Sequence, residues 1–102
     1  MAEKVKEKML LISIIGTLEA IREGGLSIDE AENFLFSPYM VHRLREKKYN
    51  ESLINILEKG CELEDIASLL PQELVKSLEE LKQEALAAMK SYESFEKEFW
   101  IE

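Results

Sequence analysis

LVKSLEELKQEALAAMKSYESFEKEF, residues 74–99, decides how the fold is read. Its apolar residues fall at Leu74, Leu78, Leu81, Ala85, Ala88, Tyr92, Phe95 and Phe99, in alternating steps of four and three. That 3.5-residue repeat marks a helix with one seam laid along a partner. The positions beside the seam, among them Val75, Ser77, Lys82, Glu84, Met89 and Glu96, are mixed in charge and partly apolar. A parallel zipper would place matched charges there. The seam is therefore expected to dock on the chain's own helices, with a homodimer through residues 74–99 as the alternative. Residues 91–94 are where this helix is expected to fray, leaving Phe95, Phe99 and Trp100 on a separate turn.

Working back toward the N-terminus, helix punctuation recurs. Pro71 suits the first position of the long helix, where its missing N–H costs nothing. Glu62 to Leu70 reads as a short helix with Leu63, Ile66, Leu69 and Leu70 inward. Asn50 caps a helix carrying Leu53, Ile54, Ile56 and Leu57, with Gly60 as its expected terminator. Ser37-Pro38 opens another, ending near Lys48, and Ser27 with Glu30 forms a capping box for the one before. The first helix spans about Glu3 to Glu23, ended by Gly24-Gly25. Apolar residues cover more than half its circumference, so it is expected to sit centrally. Gly16 lies inside it, where glycine costs about 1 kcal/mol against alanine; close approach of another helix is the expected compensation. The fold class is all-α, a single domain over 1–102: a bundle of five or six helices, the long C-terminal one packed across shorter ones.

Composition narrows the function. The net charge of −8 is uneven: residues 1–61 hold 9 basic and 10 acidic groups, residues 62–102 hold 4 and 11. An acidic C-terminal half repels phosphate backbones and anionic lipids and suits a basic partner. The single cysteine forbids an internal disulfide and fits a reducing compartment. Met9–Gly16 is less than half the roughly 18 apolar residues a membrane span needs, and Glu3, Glu7 and Glu19 spoil a leader peptide. A cytoplasmic protein without membrane attachment is expected.

Catalytic and metal chemistry find little support. His42 has Glu46 one turn on, but two ligands do not make a metal site. Cys61 precedes a helix start, where a thiol pKa can fall, yet a nucleophile also needs a base and an oxyanion site. Glu62, Glu64 and Asp65 lack the glycine and regular spacing of a calcium loop and suit a helix N-terminus by charge. The reading is a non-enzyme without metal or cofactor.

Binding remains. The leading expectation is a protein-interaction module, of the immunity or antitoxin type, using Glu79, Glu80 and Glu84 with the aromatic Phe95, Phe99 and Trp100 against a basic protein. The alternative is DNA binding by a helix-turn-helix-like segment at residues 26–48. There Ala31 would sit on the first helix and Val41 and Leu44 would face inward, with His42, Arg43, Arg45, Lys47 and Lys48 offered to the duplex. The turn lacks glycine, and the overall charge opposes it.

Three stretches, ISIIGTL (12–18), IDEAENFLFSP (28–38) and ELEDIASLLP (62–71), together resemble a family of short bacterial proteins, domain of unknown function 3969. The resemblance covers about residues 9–90. It implies a cytoplasmic bacterial protein and brings with it no activity and no functional residues.

Overall fold

The computed structural model describes residues 3–96 of the chain. Six α-helices follow one another: α1 Glu3–Arg22, α2 Ile28–Phe34, α3 Pro38–Glu46, α4 Glu51–Cys61, α5 Leu63–Leu69 and α6 Leu74–Met89, with a 3₁₀ turn at Pro71–Glu73 before the last. Only α1, α3, α4 and α6 reach nine residues; α2 and α5 have seven each. The expected bundle of five or six helices is thus four principal helices with two short connectors. No β-strand occurs among the described residues.

Capping chemistry sets most boundaries. Ser27 Oγ accepts from the Glu30 N–H at 3.0 Å while Glu30 accepts from the Ser27 N–H at 3.2 Å, satisfying two donors that the helix start leaves free. Ser37 Oγ accepts from Met40 N–H, and Asn50 Oδ1 from Ser52 N–H. Gly24 ends α1 at φ 83°, a left-handed position where glycine has no Cβ penalty. Lys48 takes the same region at φ 58° after α3.

Gly60, expected to end α4, lies inside it and is buried. A Cβ there would run into the Phe36 ring, so the glycine makes room for a core aromatic. Leu70, held at φ −138° and ψ 60°, is kept out of the helical region by the following Pro71. The α5 helix therefore stops short, leaving Leu69 at 76% and Leu70 at 50% exposure. Both were expected inward.

One core joins the elements. Leu11, Ile14 and Leu18 of α1 meet Leu53, Ile54 and Leu57 of α4 and Leu78, Leu81 and Ala85 of α6. The long C-terminal helix lies chiefly along α1, the longest helix, and then α4, rather than across the shorter ones. The 74–99 seam is helical only to Met89. Beyond it, the Ser91 and Tyr92 N–H groups bond to Ala88 and Met89 three residues back, and Ser91 Oγ donates to the Ala88 carbonyl at 2.8 Å. Serine competing for the backbone in this way closes the helix. Leu78, Leu81 and Ala85 are buried inside the chain, against its own helices. Phe99 lies outside the described residues.

Gly16 departs furthest from expectation. It is exposed, and a Cβ built on it meets nothing within 4 Å. No helix of this chain approaches it among the described residues.

Candidate functional site

The acidic residues of α6 are engaged within the fold. Glu79 accepts from Arg22 at 3.0 Å and pairs with Lys82 at 3.0 Å; Lys82 also reaches Glu19 at 2.9 Å. Glu84 pairs with Lys59 of α4 at 2.6 Å, and Glu80 stands 4.0 Å from Lys76. The hydrogen bonds from Lys82 and Gln83 hold the Glu79 carboxyl below the usual value of 4.5. The hydrogen bonds that Lys82 donates to Glu19 and Glu79 hold its ammonium above 10.5. The predicted acidic docking face is thereby largely neutralised in place.

A second acidic surface lies where α2 packs on α5. Asp29 and Glu32 on α2 and Glu64 on α5 bring carboxylate oxygens within 4.8 Å of one another. Among the described residues no lysine or arginine lies within 4.0 Å of Asp29, Glu32, Glu62, Glu64 or Asp65. Glu32 is raised above 4.5, first by a hydrogen bond with Glu64, then by burial and by the charges of Glu64, Asp29 and Asp65. Helix dipoles supply partial compensation, because Asp29 sits in the first turn of α2 and Glu64 and Asp65 in that of α5. Three single-oxygen donors fall short of the six to eight that calcium takes. Exposed apolar side chains close the two helices: Phe34 ends α2, and Leu69 and Leu70 follow the acids of α5. The sequence marked Glu62, Glu64 and Asp65 as acidic but missed Asp29 and Glu32, which enter only through the α2–α5 contact.

Cys61 and His42 line one shallow cleft of about 350 Å³ with Arg45, Glu58 and Glu62. No hydrogen bond joins the two side chains among the described residues, and the His42 ring lies 3.6 Å from Glu46. Burial, then the charges of Glu32, Glu58 and Glu62, push the thiol above 9.0. An acidic neighbourhood suppresses the thiolate that nucleophilic chemistry requires.

On α3, Val41 and Leu44 are buried as expected, and so is Ala31 on α2. His42, Arg43, Arg45, Lys47 and Lys48 are exposed, but Arg45 is held by Glu58 at 2.6 Å and stands 4.0 Å from Glu51. α3 packs chiefly on α4, whereas α2 packs on α1 and α5.

The C-terminal aromatic cluster splits. Tyr92 donates to Glu7 Oε1 at 2.8 Å, and the Asn50 N–H donates to Glu7 Oε2 at 2.8 Å. Glu7 is only 4% exposed, and Lys4 stands 3.7 Å from it. Burial, then the hydrogen bond to Glu7, raise the Tyr92 phenol well above its usual range. Phe95 lies under Lys8 Nζ, 4.6 Å from the ring centroid, and the same ammonium donates to the Glu93 carbonyl at 2.8 Å. Residues 91–95 are thus strapped to α1. Trp100 and Phe99 lie outside the described residues. Glu7 could have been found in the sequence, since it stands in helical register with Leu11, Ile14 and Leu18.

No described helix is long and apolar enough to cross a membrane. No curated protein and no solved structure matches the chain. The family model of proteins of unknown function numbered DUF3969 matches residues 2–102, which is the whole chain but for its first residue, and the protein belongs to that family.

Proposed function

We propose that the protein is a non-catalytic interaction module that takes a basic protein partner on its α2–α5 face, in the manner of an immunity or antitoxin protein. One observation carries this reading: Asp29 and Glu32 on α2, and Glu64 and Asp65 on α5 with Glu62 at its cap, have no cation among the described residues to neutralise them. A positive partner surface would relieve that repulsion and gain in encounter rate. Phe34, Leu69 and Leu70 add apolar surface at the ends of the same helices.

The test is recovery of bound protein from the native cell, using the tagged full chain beside a Glu32→Gln, Glu64→Gln, Asp65→Asn variant and a Glu79→Gln, Glu80→Gln, Glu84→Gln variant. A stoichiometric basic protein is expected with the parent and the α6 variant and is expected to be lost with the α2–α5 variant. Equal recovery by all three overturns the assignment of the face. Nucleic acid in place of protein, lost on Arg43→Ala, would move the function to α3.

A further inference from the structure

Two segments far apart in the chain end on one carboxylate. The Tyr92 hydroxyl, just past α6, donates to Glu7 Oε1 at 2.8 Å. The N–H of Asn50, the N-cap of α4, donates to Glu7 Oε2 at 2.8 Å. Glu7 is 4% exposed, and its backbone is fixed inside α1. Among the described residues one cation lies within 4.0 Å of it: Lys4, at 3.7 Å, with its own side chain 76% exposed.

The strap over α1 is held at points rather than packed. Lys8 Nζ donates to the Glu93 carbonyl at 2.8 Å and lies 4.6 Å from the Phe95 ring centroid. Lys4 Nζ lies 5.7 Å from that of Tyr92. Between strap and helix runs a cleft of about 600 Å³, lined by Lys4, Val5 and Lys8 of α1, by residues 91–96 and by Asn50. Tyr92 packs against the edge of the core, whereas Phe95 stays 40% exposed. Lifting the strap therefore uncovers little new apolar surface, and its opening costs far less than unfolding the core.

A buried carboxylate does not keep its place when one of two donors leaves. The loss exceeds the contribution of the bond itself, because the charge is left uncompensated where water is excluded. With Tyr92 lifted away, water reaches Glu7, and the exposed Lys4 ammonium offers the carboxylate a partner on the solvent side. Turning outward takes Oε2 from the Asn50 N–H. The coupling is reciprocal: loss of the Asn50 bond weakens the hold on Tyr92 by the same free energy.

We infer that Glu7 is the shared catch of a two-ended latch: residues 91–95 lift from α1 as a unit, well below global unfolding, and their release loosens the α3–α4 turn at Asn50. The device joins the C-terminal strap to the turn that carries Lys47 and Lys48. It does not depend on the α2–α5 reading.

Amide hydrogen exchange of the full chain, followed by NMR at low urea concentrations, tests it. The Tyr92 N–H, bonded to the Met89 carbonyl, reports the strap. The Asn50 N–H reports the turn, and that of Leu81, in the buried seam of α6, reports global unfolding. Tyr92 and Asn50 are expected to share one opening constant, about a hundredfold above that of Leu81 and nearly independent of urea. Lys8→Met removes strap contacts without touching Glu7; it is expected to lower the protection of both amides by the same factor, about threefold. Tyr92→Phe is expected to lower both about fivefold. The Met40 N–H, which bonds to Ser37 Oγ instead, is expected to be unchanged by Lys8→Met. Asn50 protection that stays constant while that of Tyr92 falls overturns the coupling, and so does an equal fall at Met40. A single urea-dependent opening for Tyr92, Asn50 and Leu81 overturns the latch, because the strap would then open only with the whole fold.

Discussion

Where α1 meets α6, Arg22, Glu79, Lys82 and Glu19 alternate in sign and close into a ladder of ion pairs. Where α2 meets α5, Asp29, Glu32 and Glu64 face one another with no cation among the described residues. The helix pairs differ in what their charges do for the fold. In the first, charges set the register of two long helices while a buried seam supplies the stability; exposed pairs of this kind contribute little. In the second, the charges oppose the fold, and helix dipoles only moderate the repulsion. A protein keeps such a cluster at a cost in stability, which is why the α2–α5 face is the better candidate for binding.

The contrast can be broken most strongly at the seam. Leu81→Ala removes a side chain that is 4% exposed and is expected to cost about 3 kcal/mol by urea unfolding, within the range for buried leucine. Next comes the strap that closes the open end of the α1–α6 pair. Glu7→Ala leaves the Asn50 N–H and the Tyr92 hydroxyl without their acceptor and is expected to cost about 2 kcal/mol. Tyr92→Phe removes one of these bonds and is expected to cost about 1 kcal/mol. Equal losses from the two would show that the tyrosine alone carries the strap.

Smaller effects distinguish the two regions by sign. Glu32 has a raised folded pKa, so the folded state holds more protons than the unfolded one just above pH 4.5. Stability there rises as pH falls. Glu32→Gln is expected to remove that rise in thermal melts between pH 7 and 4.5, and to raise the melting temperature at neutral pH. Glu79 has a lowered folded pKa; its contribution is present above pH 4.5 and is lost as pH falls through the folded value. Glu79→Gln is expected to flatten the acid limb below pH 4.5 and to change the neutral melting temperature least of all. Slopes of the same sign in both regions would refute the comparison.

The acidic excess of residues 62–102 pointed to Glu79, Glu80 and Glu84, but α6 meets Arg22 and Lys59 from helices distant in sequence. Net charge counted along a segment does not anticipate such neutralisation. The cluster that stays unpaired needs two helices, and neither Asp29 nor Glu32 stands out within α2. Leu69 and Leu70 were expected inward on periodicity, but Pro71 ends the helix before their face is completed. Tyr92 and Phe95 keep the seven-residue rhythm after the helix has stopped at Met89, close to residues 91–94 where it was expected to fray.

Much of the backbone punctuation was legible in the sequence, Gly60 and Pro71 excepted: the first lies inside α4, and the second opens a 3₁₀ turn before α6. Ser27 with Glu30, Ser37 with Pro38, Asn50 and Gly24 act on donors and dihedrals within a few residues of themselves, so their local chemistry suffices. Gly60, Glu7 and Gly16 have meanings that depend on distant surroundings: the Phe36 ring, the Tyr92 hydroxyl and, among the described residues, the absence of a covering helix. Those surroundings arise when the core assembles. Long-range packing selects which glycine yields space to a neighbour, which carboxylate is buried, and which acidic surface is left without a cation among the described residues.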